Sequence, residues 1–140
     1  MEPITELLAH RWGRTIYIRI KRDEMIFRHI QGGVEVCLHP QSPFSSARLL
    51  VARPSAAGQL VRRGIKAAMG SFGIAPTIVF HPLDIMEGGL SEVEEDSLLK
   101  LGYDAGARSV AVVTGAEFSD VQVREILKER SRLGAKAISG

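Results

Sequence analysis

The stretch that decides the fold runs from Pro76 to Val113 and has the sequence PTIVFHPLDIMEGGLSEVEEDSLLKLGYDAGARSVAVV. It contains two short apolar runs, 77–80 and 109–113, whose length and β-branched content are typical of buried strands. The segment 91–104 between them is typical of a helix. Two strands joined by a helix run parallel, because a parallel return needs a crossover connection. The stretch therefore predicts a right-handed βαβ unit around which the rest of the chain packs.

The predicted helix has clear start and stop signals. Ser91 and Glu94 have the spacing of a capping box, and Gly106 lies just past the end, where glycine tolerates a left-handed conformation. Acidic residues crowd its first turn, which the helix dipole explains without a metal site. The residues expected on its buried side are Val93, Leu98, Leu101 and Ala105.

The residues before this stretch predict an antiparallel meander of three strands, 15–21, 25–30 and 34–38. Each alternates apolar and polar residues, so one face of the sheet packs and the other meets water. Cys37 is expected to be a small core residue in the third strand. A loop follows, and the short apolar run 48–52 either extends the third strand or lies across the sheet edge.

Two further helices complete the pattern. One starts at Arg53-Pro54-Ser55 and runs to about Gly70, and its small residues Gly64 and Ala68 let it approach the sheet closely. The other starts at Ser119, with Gln122 in capping-box position, and runs to about Leu133. The order is therefore βββ-α-β-α-β-α. It predicts an α/β fold with a mixed five-stranded sheet and helices on both faces.

A chain of 140 residues is expected to form one domain, here 15–140, preceded by an N-terminal arm, 1–14. The arm is predicted to be a short amphipathic helix that packs on the domain or frays. The alternative is membrane contact through residues 4–14, which the acidic Glu2 and Glu6 oppose. The sequence has neither a transmembrane segment nor a signal-peptide pattern. With a single cysteine, no intramolecular disulfide can form, which favours a cytoplasmic location.

Composition argues against a nucleic-acid partner, because the basic residues are scattered and aromatic residues are few. The four histidines lack metal-ligand spacing, so no metal, other cofactor or catalytic residue is expected. The best place for a small ligand is the carboxyl end of the first parallel strand, where open α/β sheets bind ligands. The candidate ligand-binding residues there are His81, Asp84 and Glu87.

The segments GLSEVEE at 89–95 and DAGARSV at 104–110 resemble the MreB family of bacterial actin-like rod-shape-determining proteins. In that family a strand, a loop, a similar helix start and an Ala-Gly-Ala-Arg turn follow in the same order. The resemblance covers roughly residues 60–113, with the first strands matching loosely. It implies the ribonuclease-H-like arrangement that builds each half of an actin-like ATPase, of which this chain would be the first subdomain.

The resemblance also implies that the nucleotide site is degenerate. The family carries Asp-x-Gly-Thr between its first two strands, whereas this chain has Arg22-Asp23-Glu24-Met25, without glycine. The other register, 10–15, keeps a glycine and a threonine but lacks the aspartate. Thr114-Gly115-Ala116 stands where the family has Glu-Glu-Pro, and a second phosphate loop is missing. ATP hydrolysis needs most of these parts together, so the chain is not expected to be an enzyme.

The predicted function is that of a non-catalytic actin-like domain that works through protein–protein contacts, either self-association or a partner, in bacterial cell shape or cytoskeletal organisation. One alternative is a small-ligand or nucleotide-binding domain. The other is a metal-dependent ribonuclease-H-like nuclease, which needs carboxylates that converge on two metal ions. Against it, the strand interiors offer only Glu35, while the first strand carries Arg19 and Lys21.

Overall fold

The computed structural model describes residues 14–46, 49–70, 75–84 and 90–132. Within them the predicted order of elements is confirmed. The predictions for the arm, 1–14, and for the end of the last helix at Leu133 lie outside the described residues, apart from Arg14. The elements are β1 (Thr15–Lys21), β2 (Glu24–His29), β3 (Val34–Leu38), α1 (Pro54–Met69), β4 (Thr77–Pro82), α2 (Glu92–Asp104), β5 (Ser109–Val112) and α3 (Asp120–Arg132).

The five strands form one mixed sheet in the order β3-β2-β1-β4-β5. The first three strands pair antiparallel, with Ile18 opposite Phe27 between β1 and β2. β4 lies parallel to β1 and to β5, as the βαβ prediction requires. The fold is therefore α/β, and the carboxyl ends of β1 and β4 lie side by side at one end of the sheet.

Helices α1 and α2 cover one face of the sheet and enclose the larger core. Ile16, Ile18 and Ile20 of β1 are fully buried there, beneath apolar residues of both helices. The predicted close approach of α1 is confirmed at Gly64, where a Cβ atom would lie 2.1 Å from the ring of Phe27. Glycine at this position therefore sets how near the helix comes to β2.

Helix α3 lies against the opposite face and covers less of the sheet. Val123 is buried there with Tyr17, Val79 and Ala111. The start of α3 is tied to β2 by Arg28, whose Nε and Nη2 donate to the two carboxylate oxygens of Asp120 at 3.1 and 3.0 Å. This hydrogen bonding lowers the pKa of Asp120 and raises the pKa of Arg28.

Local signals of the sequence are well reproduced. Both predicted capping boxes form: Ser91 with Glu94, and Ser119 with Gln122. Gly106 has φ of 98°, the left-handed conformation expected after α2. The run 48–52 is not a strand in its described part, because Ala52 donates its backbone N–H to the carbonyl of Phe44 and closes a loop.

Two burial predictions are wrong. Val93 is 74% exposed, because it lies in the first turn of α2 before the helix reaches the sheet. Cys37 is exposed as well. Its neighbours Val36 and Leu38 face the larger core, so Cys37 points to the other face, at an outer strand of the sheet. In the described residues no helix is long and apolar enough to cross a membrane.

Candidate functional site

His81 lies at the carboxyl end of β4, and its side chain is fully buried on the α3 side of the sheet. Its Nδ1 is 2.7 Å from the hydroxyl of Tyr17, and its Nε2 is 2.9 Å from the carbonyl oxygen of Gly115. The same hydroxyl accepts the backbone N–H of Phe118 at 2.9 Å. The ring of Phe118 meets His81 edge-on, with centroids 4.9 Å apart. The loop after β5 is therefore fastened to the sheet through one buried histidine.

The hydrogen bonds determine which tautomer His81 adopts. A carbonyl oxygen can only accept, so Nε2 carries the proton and donates to Gly115. Nδ1 must then accept, which makes the Tyr17 O–H its donor. The chain of donors runs from the Phe118 amide to Tyr17, then to His81, then to Gly115. Every ring nitrogen of a neutral His81 is satisfied.

Burial is the main influence on both titrating groups of this chain. It lowers the pKa of His81, against the smaller raising effect of its bond to Gly115. It raises the pKa of Tyr17, although the bond from the Phe118 amide acts the other way. Both shifts favour the neutral side chains. The pair is thus held neutral, and its tautomer suits a structural hydrogen-bond relay.

The other two predicted ligand-binding residues are placed differently. The carboxylate of Asp84 accepts the backbone N–H of Arg22 at 3.0 Å, at the exposed end of β1. Glu87 lies in the segment 85–89, outside the described residues. His81 faces the α3 side and bonds to Tyr17 and Gly115, so it and Asp84 make separate contacts. Ligand binding by this set stays a prediction.

The turn between β1 and β2 is occupied by the chain itself. Asp23 has a positive φ of 50°, and its carboxylate accepts the backbone N–H groups of Phe44 and Ser45, both at 2.8 Å. The backbone N–H of Asp23 in turn donates to the Ser45 hydroxyl at 3.0 Å. With the Arg22 amide bonded to Asp84, two consecutive amides of the turn have protein acceptors. A phosphate would have to displace these acceptors to use the same amides.

A small apolar pocket opens near the same ends of β1 and β4, on the face covered by α1 and α2. Its lining includes Ile20, Leu50, Pro82 and Leu98. It encloses about 20 Å³, room for roughly one water molecule, whereas ligand pockets span about 300–1,000 Å³. His81 and Asp84 do not line it. The pocket is therefore too small, as described, to hold a nucleotide base or a sugar.

Carboxylates expected of a nuclease are instead engaged by arginine. Arg19 of β1 forms an ion pair with Glu35 of β3 and a longer one, 3.5 Å, with Glu117. Its guanidinium also lies 5.6 Å from the ring centroid of Tyr17. Both carboxylates are therefore held by one arginine and do not converge on a common point where two divalent metal ions could bind.

A second group of polar side chains lies at the far edge of the sheet. Glu24, Cys37 and His39 bring an oxygen, a sulfur and a nitrogen within 4.8 Å of one another. Burial and the neighbouring Glu24 carboxylate raise the pKa of the Cys37 thiol. The sequence analysis did not predict this group, because it considered only the spacing between the four histidines. The signal that could have revealed it is Cys-x-His at the end of a predicted strand, with an acid across the hairpin.

A scan of the chain against models of known protein families finds no match, and a search of curated proteins finds none either. The geometry of the described residues and the motifs of the sequence are therefore the features that indicate a function.

Proposed function

We propose that this chain is a non-catalytic actin-like domain that works through protein–protein contacts, in the first place by self-association. In this proposal the domain has the ribonuclease-H-like arrangement of the first actin subdomain and serves bacterial cell shape or cytoskeletal organisation. The MreB-like motifs of 89–95 and 104–110 suggest the family, and the sheet supplies the framework.

The strand order supports the framework part of the proposal. The sheet has three antiparallel strands followed by two parallel ones, in the order β3-β2-β1-β4-β5, with α1 and α2 on one face and α3 on the other. This order is the one expected of the proposed ribonuclease-H-like arrangement. The residue patterns predicted the same succession of elements, and the family resemblance implied the ribonuclease-H-like arrangement. A shared succession supports a common framework without specifying a function.

The occupied β1–β2 turn is the observation that carries the non-catalytic part. In an actin-like ATPase the backbone amides of this turn hold phosphate oxygens. Here the amides of Arg22 and Asp23 donate to Asp84 and Ser45, and the Asp23 carboxylate is bound to the 44–45 backbone. Both amide hydrogen bonds go to Oδ1 of Asp23 and hold the carboxylate against the backbone of residues 44 and 45. The turn therefore has a structural role, because it holds the 44–45 segment and Asp84.

The outer strand β3 supports the protein-contact part. Among the described residues β3 pairs only with β2, which leaves the backbone groups of its other edge available to a further strand. Edges of this kind pair readily with another chain unless charge or proline blocks them. β3 carries one charged residue, Glu35, and no proline, and Val34 at its start is 43% exposed. A second copy can add its own β3 at this edge.

Light scattering at increasing protein concentration tests the association. We expect the mass to rise above the 15.3 kDa of one chain. Val34→Lys places a positive charge at the edge and should shift the association to at least about tenfold higher concentration, an effect of roughly 1.4 kcal/mol. Val121→Lys is the matched control, since Val121 is also an exposed valine but lies on α3. A chain that stays monomeric throughout contradicts self-association.

Calorimetric titration with ATP and Mg²⁺ tests the second half of the proposal. We expect no binding tighter than about 100 μM, which corresponds to about 5.5 kcal/mol. Tighter binding would show that the nucleotide site survives and would support the nucleotide-binding alternative. Because the two measurements are independent, loss of one half of the proposal leaves the other half testable.

A further inference from the structure

The edge of the sheet opposite β5 carries three side chains of metal-ligand type on one face. Glu24 begins β2, while Cys37 and His39 lie at the end of β3 and just beyond it. Met25 pairs with Leu38, so the register continued by one residue places Glu24 opposite His39. Cys37 is two residues before His39, and side chains two apart in a strand point to the same face. The hairpin itself therefore brings the three together.

The donor atoms are already close to ligand spacing. The Nε2 atom of His39 is 3.0 Å from Oε1 of Glu24, and one donor atom from each residue lies within 4.8 Å of the other two. Ligands of a tetrahedral zinc ion stand roughly 3–4 Å apart, given bonds of about 2.0–2.3 Å. Small side-chain rotations are enough to close the remaining distance, and the side chains of Cys37 and His39 are exposed and free to make them.

The chemistry of the three donors selects the metal. A thiolate and an imidazole favour zinc over magnesium or calcium, which prefer oxygen ligands. A Cys-His-Glu set provides three protein ligands and leaves the fourth position to water. We propose that Glu24, Cys37 and His39 bind one Zn²⁺ ion, a site that goes beyond the proposed protein-contact function. On binding, Cys37 releases its thiol proton to solvent. The Nε2 proton of His39, which is donated to Glu24 in the metal-free chain, also leaves for solvent, and a neutral ring keeps its proton on Nδ1, so that Nε2 can coordinate the ion.

The charges around the site are compatible with a dication. Two ligands of the loaded site, the thiolate and the carboxylate, carry one negative charge each and together neutralise Zn²⁺. Lys21 and Arg19 are the nearby cations. Arg19 is already paired with Glu35 and Glu117, which reduces its repulsion of the ion. The site therefore adds no uncompensated charge to the sheet face.

Cobalt binding to the untagged 140-residue chain tests the site. Co²⁺ takes zinc positions, and a cobalt–thiolate bond gives a near-ultraviolet charge-transfer band that oxygen and nitrogen ligands do not give. Cys37 is the only cysteine of the chain, so a cobalt–thiolate band can arise only from a Co²⁺ ion bound to Cys37. We expect one Co²⁺ per chain, displacement of the band by Zn²⁺, and protection of Cys37 from alkylation when zinc is bound.

Three variants separate a true site from incidental binding. Cys37→Ser should abolish the charge-transfer band. His39→Gln should weaken cobalt binding on the order of 100-fold or more, since even loss of an outer-shell partner commonly costs 10–100-fold. Glu92→Gln is the control, because it removes an exposed carboxylate of α2 that is outside the cluster, and cobalt binding should stay unchanged.

Several results would overturn the proposal. One is the absence of the charge-transfer band at saturating cobalt, and another is equal cobalt binding by the wild type and Cys37→Ser. A stoichiometry of one ion per two chains would also overturn it, because the ligands would then lie on separate copies. Zinc that leaves the alkylation rate of Cys37 unchanged has the same consequence. Circular dichroism of each variant confirms that the fold is retained, and the alkylation measurement needs no variant.

Discussion

Replacing Tyr17 with phenylalanine removes one oxygen atom from the middle of the hydrogen-bond chain that joins the loop after β5 to the sheet. That oxygen accepts the backbone N–H of Phe118 at 2.9 Å and donates to Nδ1 of His81 at 2.7 Å. The ring remains, so its packing against Phe118 and Val79 is retained. The substitution therefore isolates the hydrogen bonds from the apolar contacts.

The expected cost follows from the two groups left without a partner. His81 is fully buried, and a buried polar group without a partner costs about 1–3 kcal/mol. The Phe118 amide is only partly buried and can recover some hydration, so its loss is closer to about 1 kcal/mol. Together the free energy of unfolding should fall by about 2–4 kcal/mol in Tyr17→Phe.

Urea unfolding followed by far-ultraviolet circular dichroism measures this difference. Tyr103→Phe is the matched control, because it makes the same chemical change at the other tyrosine of the chain, which is 50% exposed on α2. Exposed substitutions of this kind change stability by less than about 0.5 kcal/mol. The urea dependence of both variants should match the wild type, since neither changes the surface exposed on unfolding.

A Tyr17→Phe variant within about 0.5 kcal/mol of Tyr103→Phe would refute the reasoning, because the relay would then contribute nothing net. The nitrogen chemical shifts of His81 give an independent check. They should show a neutral ring protonated at Nε2 in the wild type, and a ring protonated at Nδ1 would contradict the donor order derived from Gly115.

Two further predictions concern α1 and His81. Gly64→Ala should destabilise the fold by about 1–3 kcal/mol, since its Cβ would lie 2.1 Å from the Phe27 ring. Gly58→Ala in the same helix meets its nearest neighbour at 3.5 Å, and the gain in helix propensity should stabilise by up to about 1 kcal/mol. Equal effects of the two in urea unfolding would contradict the close approach. The pKa of His81 is lowered by burial, so the unfolded chain binds more protons below pH 6.5. Stability should be complete above that pH and fall below it by up to about 1.4 kcal/mol per pH unit, until the pH reaches the folded pKa. His81→Gln should flatten this slope in unfolding curves from pH 7 to 5 and leave only the share of His29, whose pKa burial also lowers. An unchanged slope would contradict the assignment.

Sequence patterns predicted the elements because the signals are local. The capping boxes at Ser91 and Ser119 join residues three apart, and strand alternation identifies the two faces of each strand. The parallel pairing of β4 and β5 followed from the crossover rule, whereas the ribonuclease-H-like arrangement was implied only by the family resemblance. Nothing in these signals depends on contacts between distant parts of the chain.

The site residues were harder because their partners are distant in sequence. Tyr17 and His81 are 64 residues apart, so no local pattern couples them. His81 was predicted as a site residue from its position at the end of β4. That position does not determine on which face of the sheet its ring lies. For Cys37, alternation gives two faces, and packing decides which one is covered. β3 is at the edge of the sheet, and the face that carries Cys37 is not covered there, so the prediction that Cys37 is a core residue was wrong.

The Asp23 contact has a consequence for redesign. The Asp23 carboxylate joins the β1–β2 turn to the 44–45 segment, so this corner is a structural contact and not an open binding site. Grafting an Asp-x-Gly-Thr loop onto this hairpin would therefore unfasten the following segment before it could accept a phosphate. A redesigned nucleotide-binding loop would therefore need other hydrogen bonds to hold residues 44 and 45 in place.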